Sequence, residues 1–129
     1  MSLQIPGWVT AKAEAAAQEL LRNIDGSNAI VIATEDGFDV ACAMNRTVEA
    51  ARIAAMTSSI AAIGQILSHE AALGQPNCLV VDASEGYLIM RRVRCGPVVL
   101  VINALTSSSA LLGLAMHTVA GAARQMEAE

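Results

Sequence analysis

Apolar segments and turn residues alternate along this chain in an order that predicts eight elements of secondary structure. Residues 29–33 form a β-rich apolar run, and residues 38–43 form a second one. Between them, Asp36 and Gly37 tolerate a positive φ, which a tight hairpin turn requires. The first two strands are therefore predicted to pair antiparallel.

The other segments show helical or strand periodicity. Helices are predicted over residues 9–23, over residues 48–73 and after residues 106–109, and strands over residues 28–34, 38–43, 77–82, 87–93 and 97–103. Because short links suit antiparallel neighbours, this order predicts an α/β fold of the α+β type with a five-stranded antiparallel sheet, in the order α-β-β-α-β-β-β-α. The first strand is apolar throughout its middle, so helices are expected on both faces of the sheet.

The helix predicted over residues 48–73 has three distinct faces on a wheel of 100° per residue. We assign one stripe to the sheet: Ile53, Thr57, Ile60, Gly64 and Leu67. About a quarter-turn away lies a flank of small side chains, formed by Ala50, Ala54, Ser58, Ala61, Gln65 and Ser68. Since small residues at four-residue spacing permit close approach of another helix, a symmetric helix-on-helix dimer contact is the predicted use of this flank.

The third face of the same helix is an apolar strip with charged ends. Its members are Arg52, Met56, Ser59, Ile63, Ile66 and Glu70. If exposed, the strip is a candidate partner site; if covered by a loop, it belongs to the core. The sequence leaves both interpretations open.

Residues that commonly begin helices precede the second and third helices. Thr47 is predicted to cap the second helix, with Glu49 in its first turn near the positive end of the helix dipole. The serine-rich run of residues 106–109 supplies candidate caps for the last helix, and Pro97 is expected to open the fifth strand.

Composition and charge narrow the class of protein. The 129 residues fit one domain spanning residues 1–129, and although 54% of them are hydrophobic, no run reaches the roughly 18 apolar residues of a membrane span. The N-terminus lacks the pattern of a signal peptide, so a cytoplasmic protein without membrane insertion is expected. A net charge of −4 and 2% aromatic residues argue against nucleic-acid binding.

Motifs for catalysis or for cofactor and metal binding are missing from the sequence, so no enzyme activity, cofactor or metal site is predicted. His69 and Glu70 resemble the start of a zinc-protease motif, but Leu73 occupies the position of the second histidine. His117 lies among apolar neighbours and is expected to be a packed or surface residue. The three cysteines, Cys42, Cys78 and Cys95, lack ligand spacing and are predicted to be small buried hydrophobes.

One basic cluster remains, formed by Arg91, Arg92 and Arg94 on and just after the fourth strand. Because neighbouring residues of a strand point to opposite faces, Arg91 and Arg92 cannot both point the same way, which disfavours a single anion site. A solvated strand end is the predicted role, with an acidic protein partner as the alternative.

Over residues 23–124 the sequence resembles the Roadblock/LC7 superfamily. The residues that carry the resemblance are Asp36-Gly37-Phe38 in the hairpin, the small-residue second helix, Gly96 before an apolar strand, and Leu111-Leu112-Gly113-Leu114-Ala115 at the last helix. The sequence is most similar to the stand-alone bacterial members, of the MglB and Streptomyces conservon types, and less similar to dynein light chains.

The resemblance implies the long second helix on one face of the sheet and the other two helices on the opposite face. It also implies a homodimer in which the second helices lie antiparallel and the third strands pair into one ten-stranded sheet. Leu79 and Val81 on the third strand would then join the small flank of the second helix, Ala50, Ala54, Ser58, Ala61 and Gln65, as dimer-interface residues.

Members of this superfamily commonly act as non-enzymatic regulators or scaffolds of small Ras-like GTPases. In the MglB type the dimer stimulates its partner without donating a catalytic arginine, so the resemblance implies no active site in this chain. It implies a partner surface on the second helices, with Arg52, Met56, Ser59, Ile63 and Glu70 as the residues to test.

Two alternatives remain at this point. One is an architectural adaptor that recruits a kinase or a motor or membrane complex without affecting nucleotide turnover. The other is a small-ligand sensor or enzyme on a similar layered fold, for which the sequence offers no convergent polar residues.

Overall fold

The computed structural model describes residues 4–128 and contains the eight elements in the predicted order. They are α1 (Gly7–Asn23), β1 (Ser27–Thr34), β2 (Asp39–Met44), α2 (Ala50–Glu70), β3 (Leu79–Ala83), β4 (Gly86–Cys95), β5 (Val98–Ser107) and α3 (Leu112–Glu127). The largest differences from the sequence prediction are a shorter α2 and longer β4 and β5.

The five strands form one antiparallel sheet in the order β2-β1-β5-β4-β3. The predicted sheet is confirmed, and so is the hairpin between β1 and β2, where Gly37 has a φ of +97°. A Cβ at Gly37 would lie 2.9 Å from Ser58 Oγ of α2, so the turn needs glycine both for its backbone conformation and for the close approach of the helix.

The main core lies between the sheet and the pair α1 and α3. Helix α1 buries Val9, Ala13, Ala17 and Leu20, and helix α3 buries Ala115, Val119, Ala123 and Met126. These side chains recur at three- and four-residue intervals, so each helix presents one apolar stripe to the sheet. The opposite face of the sheet carries α2, which confirms the expected arrangement of helices on both faces.

The layer between α2 and the sheet is much thinner. Its fully buried residues are Val31, Ala33 and Ala54, with Val48, Ala50 and Ile53 packed around them. Because these side chains are small, α2 lies close to the strands and contributes far less buried apolar surface than α1 and α3 do.

Several boundary predictions are wrong. Thr47 does not cap α2, because residues 47–49 remain outside the helix and Glu49 occupies the N-cap position. The serine run does not cap α3 either: Ser107 ends β5, its hydroxyl lies 2.7 Å from that of Ser109, and Leu111 precedes the helix. Pro97 lies in the turn before β5 and does not open the strand.

The cysteine prediction is correct for one residue and wrong for another. Cys95 is fully buried at the end of β4, Cys78 is half-buried, and Cys42 is exposed on the edge strand β2. Strand β2 buries Ala41 and Ala43 in the main core on the α1 side, whereas its other face is poorly covered, which explains why alternate residues are open to solvent.

Candidate interaction surface

Helix α2 contacts the sheet through its small residues. Thr57 and Gly64 are buried, and a Cβ at Gly64 would lie 2.8 Å from Leu79 Cδ1 of β3. The Thr57 hydroxyl donates to the Ile53 carbonyl oxygen at 2.8 Å, which satisfies it within the helix. The sheet-facing side of α2 is therefore shallow and leaves no space for a larger side chain at position 64.

The structure corrects the helical-wheel assignment. Ile60 and Leu67, predicted to face the sheet, are 40% and 64% exposed. At 100° per residue the buried line is turned by about 60° from the predicted one, towards the small-residue flank. The physical reason is the filled sheet surface: Val31 and Val101 already occupy the space beneath the helix, which then accepts alanine, threonine and glycine more readily than isoleucine or leucine.

This rotation changes the role of the flank that the sequence assigned to a dimer contact. Ala54 is completely buried within its own chain. It is therefore a core residue, and the prediction that it lies in a dimer contact is wrong. The other members of the flank are half-buried: Ala50, Ser58, Ala61, Gln65 and Ser68. Their assignment to a dimer interface stays a prediction.

The strip that the sequence left undecided is exposed. All its members lie on the outside of α2: Arg52, Met56, Ser59, Ile63, Ile66 and Glu70. We call these six residues the outward face. Their spacing alternates between four and three residues, so they follow one line along the helix, opposite the residues that touch the sheet. The interpretation of this strip as core is therefore wrong.

Large apolar side chains dominate this side of the helix. Met56, Ile63 and Ile66 expose 52%, 63% and 65% of their surface, and Ile60 and Leu67 extend the patch along one flank. Contiguous apolar patches of this kind are uncommon on monomeric proteins and mark surfaces that bind another protein, a membrane or a ligand. Among the described residues, α2 is also the one helix long and apolar enough to cross a membrane by length and composition alone.

The edge strand β3 adjoins this region. Within residues 4–128 it pairs with β4 and with no other strand, and Val80 and Val81 are 36% and 42% exposed. Leu79 is half-buried under Gly64, so β3 and α2 are in direct contact. An exposed apolar edge of this kind is a template for pairing with another strand.

A polar network joins Gln65, on the small-residue flank of α2, to the sheet. Arg92 donates from Nε and Nη2 to Glu35 Oε2 at 2.9 and 2.6 Å. The Gln65 amide lies 2.9 Å from Arg92 Nε, and its oxygen accepts from the guanidinium once the amide is turned towards it. Arg92 thus has a protein partner on the α2 side, whereas Arg91 points to the opposite face, as its register with Ile102 requires.

One buried polar atom lies on the same face of the sheet. Asn103, in the centre of β5, is fully buried and donates from Nδ2 to the Val31 carbonyl oxygen at 3.1 Å. Its Oδ1 accepts no hydrogen bond from residues 4–128. An unpaired buried acceptor has a desolvation cost, so this layer is less stabilising than its apolar area suggests.

Potential metal ligands do not cluster in the described part of the chain. Residues 4–128 contain no group of three or more potential metal ligands, and both His69 and His117 are exposed. Burial raises the pKa of the Cys78 and Cys95 thiols above the usual range, which keeps both protonated at neutral pH.

The two cavities of largest volume described here lie away from the outward face. A groove of about 420 Å³ runs between α1 and α3, lined by Ala15, Ala16, Glu19, Gly121 and Ala122 among others. A shallower recess of about 610 Å³ lies beside the hairpin between β3 and β4, where Val81, Leu88 and Leu105 are its apolar lining. Polar side chains also line both cavities, including Lys12 and Gln125 in the groove and Arg46 and Tyr87 in the recess.

Solved structures of other proteins share this fold. Myxococcus xanthus MglB matches 97% of this chain and 92% of its own with a TM-score of 0.83 at 15% identity. The gliding protein MglB of Thermus thermophilus matches 98% and 93% with a TM-score of 0.81 at 18% identity. A Roadblock/LC7 domain from Streptomyces avermitilis matches 87% and 92% with a TM-score of 0.76 at 15% identity.

Sequence comparison adds no relative: no family model matches the chain, and no curated protein matches it. The chain therefore has the Roadblock/LC7 fold, as its sequence resemblance predicted, and the evidence for this is structural. The sequence analysis missed the exposure of Ile60 and Leu67, which it assigned to the sheet, and it missed the Glu35–Arg92 pair. The pair joins positions 57 apart in sequence, so only the sheet topology brings them together.

Proposed function

We propose that this chain is a non-enzymatic regulator or scaffold of a Ras-like small GTPase and that it acts as a cytoplasmic homodimer. The observation that carries the proposal is the outward face of α2, where three large apolar side chains lie exposed on a single line. The likeness to MglB structures and the sequence resemblance to stand-alone bacterial Roadblock/LC7 proteins support the same role.

Two exposed apolar elements favour self-association as the first step. In a symmetric pair, antiparallel α2 helices would bury Ile60 and Leu67 nearest the twofold axis and cover part of Met56 and Ile63, while β3 pairs with its counterpart through Leu79 and Val81. The apolar side chains replace the small flank as the main helix contact, because that flank already packs on its own sheet.

The GTPase is proposed to bind the composite surface made by both α2 helices. On each helix, Arg52, Met56, Ser59, Ile63 and Glu70 contribute to this surface. A protein that binds one arrangement of the switch loops better than another shifts the GTPase towards that arrangement, and stabilising a hydrolysis-competent arrangement accelerates turnover. No group of this chain needs to enter the reaction.

A pull-down from native cytosol tests this proposal. The purified protein is used as bait with a GTP analogue or with GDP, beside an Arg52→Glu/Met56→Asp variant and a Leu114→Asp control. Leu114 is 57% exposed on α3, on the opposite face of the sheet, so the control adds a charge to an equally accessible apolar site.

We expect the wild type and the control to retain a small GTPase in one nucleotide state and the α2 variant to lose it. Retention of the GTPase by the α2 variant would count against this surface. Retention of other proteins, independent of nucleotide, would favour the architectural adaptor that recruits a kinase or a motor or membrane complex.

A further inference from the structure

The two halves of α2 are attached to the sheet in different ways. The first half, residues 50–58, carries the apolar contacts of this layer, where Ala54 is fully buried in a cluster with Val31 of β1. In the second half, residues 59–70, Gly64 is the one buried residue, and it has no side chain to add to the layer. The second half therefore gains little stability from apolar burial.

A polar contact holds the second half instead. Arg92 of β4 donates to Glu35 Oε2 from Nε and Nη2, at 2.9 and 2.6 Å, and the turned amide oxygen of Gln65 accepts from Arg92 Nε at 2.9 Å. We call these three residues the clasp. The side chains of Arg92 and Glu35 are 36% and 45% exposed, so water competes for the same groups and the clasp holds the helix only moderately.

The chain segments at the two ends of α2 also differ. Before the helix, the backbone N–H groups of Asn45 and Arg46 both donate to the Asn28 carbonyl oxygen of β1, at 2.7 and 3.1 Å, which fixes this end to the sheet. After the helix, the backbone hydrogen bonds that residues 71–77 donate in the described structure all return to α2 itself. The exit of α2 is therefore free to move until β3 begins at Leu79.

We propose that the second half of α2 opens from the sheet while the first half and the rest of the fold stay closed, and that the clasp sets how often this happens. Once released, so short a segment also loses its helical hydrogen bonds, because isolated helices of this length are marginal in water. Opening therefore exposes the backbone amides of residues 59–70 to solvent.

This opening acts on the surface that the outward face provides. Ile63, Ile66 and Glu70 all lie in the second half, so the clasp holds in place residues on which partner binding at α2 would depend. The inference itself rests on how α2 is attached to its own sheet. It stands whether or not the partner is a GTPase and whether or not the chain forms a homodimer.

Hydrogen exchange of single amides, measured by NMR, tests this opening. In the wild type, residues 60–66 should exchange at least about tenfold faster than the central amides of β1, after correction for intrinsic rates. Arg92→Gln should speed the exchange of residues 60–66 by about a further tenfold, because the hydrogen bonds of the charged guanidinium are lost. Residues 54–57 and β1 should change by less than about twofold, since their contacts do not involve the clasp.

Charge reversal gives a stricter test of the clasp. Glu35→Arg, which leaves β4 unaltered, and Arg92→Glu each place like charges together and should speed exchange as Arg92→Gln does. The double variant should return to within about threefold of the wild type, because the ion pair is restored and the Gln65 amide can donate to a carboxylate as well as accept from a guanidinium.

Arg94→Gln is the matched control. Arg94 lies two residues further along β4, is exposed, and forms no ion pair within residues 4–128, so its replacement should leave the exchange of α2 unchanged. All variants are compared at one protein concentration, because association through α2 would add protection to every one of them.

Three results would overturn the proposal. Equal protection of residues 60–66 and β1 in the wild type would show that α2 opens only when the whole chain unfolds. A uniform acceleration in all elements of Arg92→Gln would show that Arg92 supports general stability and not the attachment of α2. A double variant that exchanges as fast as either single reversal would exclude the clasp as the contact that holds the helix.

Discussion

The change Ile63→Asp tests whether a second copy covers part of this side chain in the proposed dimer. Ile63 exposes 63% of its surface in the single chain, which corresponds to roughly 110 Å² of mostly apolar area. Complete burial of that area in both copies would contribute about 5 kcal/mol at ~25 cal/mol per Å². Because a helix pair covers only part of each side chain, we use half of this value, about 3 kcal/mol, or a roughly 100-fold loss of dimer affinity.

The protomer itself should tolerate this change. The side chain of Ile63 contributes little to the chain's own core, so its replacement should alter the free energy of unfolding of the monomer by less than about 1 kcal/mol. Sedimentation velocity over a concentration series gives the dimer affinity, and thermal unfolding at monomeric concentrations gives the stability. Leu114→Asp, on the other face of the sheet, is the matched control and should leave the dimer unchanged.

Two results would contradict the burial of an otherwise exposed Ile63 in a dimer. A dissociation constant within threefold of the wild type would show that position 63 lies outside the dimer contact. A monomer destabilised by several kcal/mol would show that Ile63 belongs to the protomer's core, contrary to its exposure.

Three further predictions concern stability. Gly86→Ala should lower the free energy of unfolding by about 2–4 kcal/mol in denaturant titrations, because its Cβ would lie against the Thr106 carbonyl oxygen. The control Gly113→Ala, whose Cβ would lie in open space, should be neutral or stabilising by up to about 1 kcal/mol. Equal effects of the two substitutions would contradict the close contact at Gly86. Ala72, which has a φ of 57° at the end of α2, should gain about 0.5–1 kcal/mol when replaced by glycine; a loss of stability in the same assay would argue against the left-handed conformation. Burial raises the pKa of the Cys95 thiol, so the native state holds this proton more tightly than the unfolded state, and the free energy of unfolding should fall as the pH rises above about 8.5. Cys95→Ala should reduce this alkaline loss of stability in unfolding titrations at neutral and alkaline pH. An unchanged loss in the variant would exclude this thiol as its source.

Local turn chemistry made much of the fold predictable. Asp36 and Gly37 fixed the first hairpin, because a turn with positive φ depends on the residues at that point and little else. The apolar middle of β1 predicted helices on both faces, since a strand covered on one side only would alternate. The hairpin depends on local residues, and the prediction of helices on both faces depends on a strand that is buried on both sides.

The orientation of α2 was not predictable from its own pattern. Its large residues Ile60 and Leu67 look like core on a wheel, yet the residues of α2 that are buried on the sheet are the small Ala54, Thr57 and Gly64. A sequence that binds a second protein carries two apolar faces, and periodicity alone does not say which one lies inside. The predicted cap of α2 was wrong because the start of the helix was placed too early. Residues 47–49 stay outside the helix, so Thr47 is too far from its first turn to cap it.

In the proposed function, this chain regulates a small GTPase by binding it. The most direct test is the affinity of a GTPase retained in the pull-down, titrated separately in its GTP-analogue-bound and GDP-bound forms. We expect the two affinities to differ by at least about tenfold, because a binding protein shifts a conformational equilibrium only through its differential affinity. Equal affinities for the two forms would contradict a regulatory role.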